Sequence, residues 1–166
     1  MANTWVCCLK CTSSNTNGQF DPNPFWWNAQ GQGQMSPGSN APSGVAKNDN
    51  VYFAVQVDGG TGTVTVTDLR ASFGRIPTSG GSVASPFLVN AGGGRMCSAT
   101  NAIKLLNLTT GQTNPPGNSW YAVGPFTIVA DPAFNGTSEY EFIVTAAVST
   151  GNQFGIDPEM DVNNGT

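Results

Sequence analysis

Asn50-Val51-Tyr52-Phe53-Ala54-Val55-Gln56-Val57-Asp58 is the stretch that decides the fold. Val51, Phe53, Val55 and Val57 fall on alternate positions, with Tyr52, Ala54 and Gln56 between them. Successive side chains of an extended chain point to opposite sides, so this period of two predicts a strand with one strongly apolar face. Asp58-Gly59-Gly60-Thr61 follows, and glycine supplies the positive φ angles of a tight turn. Residues 63–69 then set Val64 and Val66 against Thr63, Thr65 and Thr67, which predicts the return strand of a hairpin.

Towards the C-terminus, further strands are expected at residues 83–89, around Met96, and at 126–130 and 140–148. Gly80-Gly81, Gly92-Gly93-Gly94, Asn114-Pro115-Pro116-Gly117 and Asp131-Pro132 separate them, all of them turn chemistry. In 140–148, Tyr140, Phe142, Val144, Ala146 and Val148 share one face, with Glu139, Glu141 and Ile143 on the other. A turn at Thr150-Gly151-Asn152 leads into a last strand at 153–157. Residues 101–108 read equally as a strand or a short helix, with Ile103, Leu106 and Leu105 as the inward candidates. Towards the N-terminus, Trp5-Val6-Cys7-Cys8-Leu9-Lys10 predicts a short first strand. Residues 12–49 are then poor in aliphatics and rich in Asn, Gly, Pro, Ser and Gln, the pattern of a long polar loop or arm. Phe25-Trp26-Trp27 in its middle is too apolar to stand in water, and is expected to pin the arm to the body or to a neighbouring subunit.

These signals predict one all-β domain over residues 1–166: an antiparallel two-sheet β-sandwich, jelly-roll or immunoglobulin-like, of roughly six to eight strands. A chain of 166 residues is long enough to build a core without staples. Charged residues make up 10% of it, against about 25% in a typical globular protein. The net charge is −4, and Lys10, Lys47, Arg70, Arg75, Arg95 and Lys104 are scattered. Nucleic acid is therefore not an expected partner, because phosphate binding needs clustered cations. An anionic membrane surface is disfavoured for the same reason. Sparse charge weakens repulsion between copies and favours assembly. Met1-Ala2-Asn3-Thr4-Trp5 has no basic start before an apolar run, so the cytoplasm is the expected compartment. On that expectation, the acceptor triplets at Asn107, Asn135 and Asn164 read as turns.

No histidine occurs, which removes His-dependent nucleophilic catalysis and His-ligated zinc. Cys8-Leu9-Lys10-Cys11 has redox-pair spacing but ends a strand, whereas such pairs draw thiolate stability from a helix N-terminus. Cys7, Cys8, Cys11 and Cys97 are expected to be small buried thiols, and no disulfide, metal or cofactor is expected. Gly92-Gly93-Gly94-Arg95 lacks the helix and the Lys-Ser/Thr of a phosphate cradle and reads as a turn. Asp157, Glu159 and Asp161 alternate along the chain without calcium-loop spacing, and are expected on a solvated strand edge. Phe25, Trp26, Trp27, Trp120 and Tyr121 are the candidates for a ligand or subunit interface, since large rings dominate interfaces and also stack on sugars. Packing is the favoured reading of the five.

Ser138-Glu139-Tyr140-Glu141-Phe142-Ile143-Val144-Thr145, a turn at Gly151, then Phe154-Gly155-Ile156-Asp157-Pro158-Glu159-Met160-Asp161-Val162 resembles the closing hairpin of bacterial inclusion-body proteins of the PixA/AidA type. The resemblance covers under a fifth of the chain. It implies a β-sandwich accumulated in bacterial cytoplasm, and brings no catalytic residues with it. The expected function is thus non-enzymatic: a self-associating structural or accumulating protein, a homo-oligomer. The alternative is a lectin-like module that holds carbohydrate on exposed tryptophans.

Overall fold

The computed structural model describes residues 2–12, 18, 20, 24–30, 33–35, 45–58, 65–75, 97–99, 103–117, 119–128, 137–156 and 159–163. Its strands are β1 (Thr4–Thr12), β2 (Phe25–Asn28), β3 (Gly33–Met35), β4 (Val45–Ala46), β5 (Asn50–Asp58), β6 (Val66–Arg75), β7 (Cys97–Ala99), β8 (Lys104–Leu105), β9 (Tyr121–Thr127), β10 (Thr137–Val148), β11 (Gln153–Ile156) and β12 (Glu159–Asn163). No described residue is helical, and no helix is long and apolar enough to cross a membrane. The expected strands at 83–89 and at Met96, and the glycines at 92–94, lie outside the described residues.

Five strands in the order β3-β2-β1-β5-β9 form a mixed sheet, with β8 added along β9. A second sheet is centred on three antiparallel strands, β12-β10-β6, with β7 beyond β6, β4 beside β12 and β11 along β10. Neither sheet closes into a barrel.

Two features correct the sequence reading. First, pairing is not antiparallel throughout. β1 runs parallel to β5, with Thr4 opposite Asn50 and Thr12 opposite Asp58. Parallel neighbours need a long crossover between them, and the polar stretch 12–49 is that crossover. It is not a bare arm, for β2, β3 and β4 lie within it. Second, β5 and β6 do not form the expected hairpin. β5 has β1 on one side and β9 on the other, leaving no edge for β6, which pairs with β10 and β7 in the other sheet. The reason is burial on both faces of β5. Val51, Phe53 and Val55 enter the main core and Ala54 enters a second one, which suits a central strand. Glycines at 59 and 60 allow a reversal but do not choose the partner.

The main core draws on both sheets. Trp5, Cys7, Leu9 and Cys11 of β1, Phe53 of β5 and Val123 of β9 meet Leu69 of β6, Val144, Ala146 and Val148 of β10 and Phe154 of β11. Each large side chain fully buried this way contributes roughly 1.5–3 kcal/mol. Strand alternation carries most of this inward set, and a bulge carries the rest. Opposite Ala147 and Val148 the register of β6 shifts, so Val66 and Leu69, three positions apart, both turn inward.

β11 and β12 share one register against β10. Val144 faces Ile156 and Glu141 faces Glu159, with no residue gained or lost between them. The two segments therefore lie along the same side of β10 in a common register.

Candidate interaction surface

The aromatic candidates separate by strand parity. Trp26 points into the main core and is 2% exposed, while Phe25 and Trp27 point to the outer face of the mixed sheet. That outer face is paved with small residues: Val6 and Cys8 of β1, Ala54 of β5 and Ala122 of β9. Over them lies the segment 106–120, which contributes Leu106, Leu108 and Trp120. Phe25 meets Trp120 edge to face, centroids 5.9 Å apart and planes at 83°, a geometry favoured by the ring quadrupoles. Tyr121, one position on, packs against the main core instead and stays half-buried.

Hydrogen bonds latch this cap in place. Trp27 Nε1 donates to Thr113 O at 2.7 Å, and Trp120 Nε1 donates to Pro116 O at 3.3 Å. Thr113 N donates to Ala29 O at 2.9 Å, and Gln112 Nε2 donates to Thr4 Oγ1 at 2.8 Å. Trp26 and Trp120 are therefore structural rings, the latter 4% exposed. Of the five aromatic candidates, Trp27 is the one left partly open on this surface.

At the rim of the cap, β8 is the last strand of its sheet. Residues 101–108 are not helical where described, which resolves the ambiguity of that segment. Ile103 packs on the main core and Leu106 on the outer one. Leu105 does not turn inward. At 58% exposure it is the large apolar residue left in water among the described residues. Sequence reasoning missed it because Leu105 and Leu106 carry the same apolar signal, and the burial of one and exposure of the other depend on what packs beside β8.

The thiols do not converge. Cys7 and Cys11 enter the main core and Cys8 the outer one, so the two ends of the Cys8–Cys11 spacing lie on opposite faces of β1. All three are buried, and none is in a disulfide. Burial pushes the thiols of Cys7 and Cys8 well up from their ordinary value, the reverse of an activated nucleophile. No group of metal-ligating side chains occurs among the described residues. Glu159 and Asp161 lie in β12 opposite Glu141 and Glu139 of β10, and the pairing of β12 with β4 is at Val162 and Asn163; Asp157 lies outside the described residues.

A buried carboxylate escaped the sequence reading. Asp49 accepts from Asn3 N at 2.7 Å on Oδ1, and from Trp5 Nε1 at 2.9 Å and Ala46 N at 3.1 Å on Oδ2. Ile128 N donates to its backbone oxygen at 2.8 Å. One residue thus ties β1, β4 and the end of β9 to the start of β5, the first two by its side chain and the last by its backbone.

Comparison with protein-family models, with curated proteins and with solved structures gives no match in any of the three.

Proposed function

We propose that the chain is a non-enzymatic, self-associating structural or accumulating protein, a β-sandwich whose copies join through the rim of the mixed sheet at β8. The observation that carries this reading is Leu105, an exposed leucine on the terminal strand of a sheet. A sheet end offers unpaired backbone groups to another chain, and an adjacent apolar side chain adds burial to that pairing. The low charge of the sequence supports it, since copies repel one another weakly. The closing segment's resemblance to inclusion-body proteins supports accumulation in the cytoplasm. The sandwich is supported by a main core that takes side chains from both sheets.

The buried, protonated thiols support a non-enzymatic role, and the burial of Trp26 and Trp120 supports packing over a ligand as the work of the aromatic set. The test is native mass by light scattering across a wide concentration range. Mass is expected to rise with concentration, and Leu105→Glu is expected to return it towards that of one chain. A wild-type protein that stays monomeric at the highest concentration overturns the reading.

A further inference from the structure

A cleft of about 530 Å³ opens on the outward face of the second sheet, away from the aromatic cap. It is built from two rows across three strands. In one row Arg70 of β6, Thr145 of β10 and Gly155 of β11 stand side by side; in the other, Asp68, Ala147 and Gln153 do the same. Strands lie about 4.8 Å apart and same-face residues on one strand about 7 Å apart, so the two rows frame a patch of roughly 10 by 7 Å. That is the footprint of one six-membered ring with its substituents.

Height differs across the patch. Ala147, Thr145 and Gly155 make a low floor, and the long side chains of Arg70, Asp68 and Gln153 stand at its corners. A Cβ on Gly155 would meet nothing closer than Thr145 Cγ2 at 3.9 Å, so the floor is open above it. The Gly155 N–H is occupied, donating to Gly18 O at 2.9 Å, and the backbone at Gly18 closes that side.

The rim's chemistry selects the ligand class. Arg70 Nε is held by Asp68 Oδ2 at 2.9 Å, with the two side chains 63% and 47% exposed. This bond uses one of the five guanidinium N–H groups and one of the carboxylate oxygens. What faces the cleft is a donor-only group, an acceptor-only group, an amide and a hydroxyl. An anion would be drawn to Arg70 and repelled by Asp68, and a cation the reverse. A neutral ring dense in hydroxyls, each both donor and acceptor, satisfies all four.

We propose that this cleft is a binding site for a neutral monosaccharide unit, held by hydrogen bonds on a floor of small residues. It is independent of the self-association reading and of the aromatic rings.

The test is a titration of the isotope-labelled full chain with glucose, galactose, mannose, fucose and N-acetylglucosamine, each to about 100 mM, well above the millimolar Kd usual for weak single-site contacts, followed by amide chemical shifts. For at least one sugar, saturable shifts are expected at residues 68, 70, 145, 147, 153 and 155. Gly155→Val raises the floor from a Cβ with no contact under 3.9 Å and suits a strand, so it is expected to fold and to weaken binding at least tenfold. Thr145→Val, which removes only the hydroxyl, is expected to weaken it severalfold, and Trp27→Ala to leave it unchanged. The proposal is overturned if no sugar shifts the cleft amides, if shifts centre on Trp27 and Tyr121, or if a folded Gly155→Val binds as wild type does.

Discussion

Three uncharged N–H donors surround the Asp49 carboxylate. Asp49→Ala leaves the amides of Asn3 and Ala46 and the indole of Trp5 without this acceptor. Each buried donor left unmade costs about 1–3 kcal/mol, so a loss of roughly 3 kcal/mol or more is expected in urea unfolding. Gly124 is constrained differently: its φ is +126°, and a Cβ there would sit 2.8 Å from Val51 O and 3.0 Å from Tyr52 Cδ1. Gly124→Ala is expected to cost about 2 kcal/mol or more, because both the dihedral and the contact with backbone resist it. The thiols give a third expectation. Cys7, Cys8 and Cys11 should react with a thiol reagent such as DTNB only when the protein unfolds, whereas in denaturant all four cysteines of the chain should be titrated. Their protonation also fixes a sign. The unfolded thiol ionises near 9.0 and the folded Cys7 and Cys8 well above it. Between those values the folded state holds protons that the unfolded state has lost. The stability they confer is complete below pH 9 and is expected to fall as pH rises further. Tyr52, also raised by burial, pulls the same way above its ordinary 10.0.

At the scale of the elements, β10 and β12 oppose like charges. Glu139 stands opposite Asp161 and Glu141 opposite Glu159 in the register of this antiparallel pair. Like charges directly opposite oppose pairing by a few tenths of a kcal/mol to about 1. Glu141→Gln is therefore expected to raise the unfolding midpoint, and by more in dilute buffer than in molar salt. This pairing could not be read along the chain, since it depends on the register of β12 against β10. Other elements were legible. Strict alternation in β5 and β10 marked both strands, and Val51, Phe53, Val55, Val144, Ala146 and Val148 are inward as it implied. What failed was pairing. Period-two patterning states which side of a strand is greasy and says nothing about its neighbour, so Gly59-Gly60 suggested a hairpin where the chain changes sheets. Short segments such as β3, β4 and β8 carry no period at all and exist because an adjacent strand offers them a ladder. The division of Trp26 from Phe25 and Trp27 between two cores needed β2 to be recognised as a strand.

For the whole molecule, the decisive feature is a mixed sheet covered on both sides, by the second sheet's residues on one and by the 106–120 cap on the other. Association through β8 would rest on backbone pairing and Leu105 instead of ion pairs, so the native mass at fixed concentration is expected to change little between low and molar salt; a steep fall with salt would place the contact on charges instead. The parallel ladder from Thr4–Asn50 to Thr12–Asp58 also has a bearing on how the chain is made. At roughly 5–20 residues per second on a ribosome, the segment that becomes β1 emerges several seconds before β5 exists to receive it. Through that interval Trp5, Val6, Cys7, Cys8 and Leu9 have only the later-emerging β2 as a sheet partner. The greasiest stretch of the young chain is thus exposed longest, and the yield of folded protein in a cell should depend on how quickly translation passes residue 58.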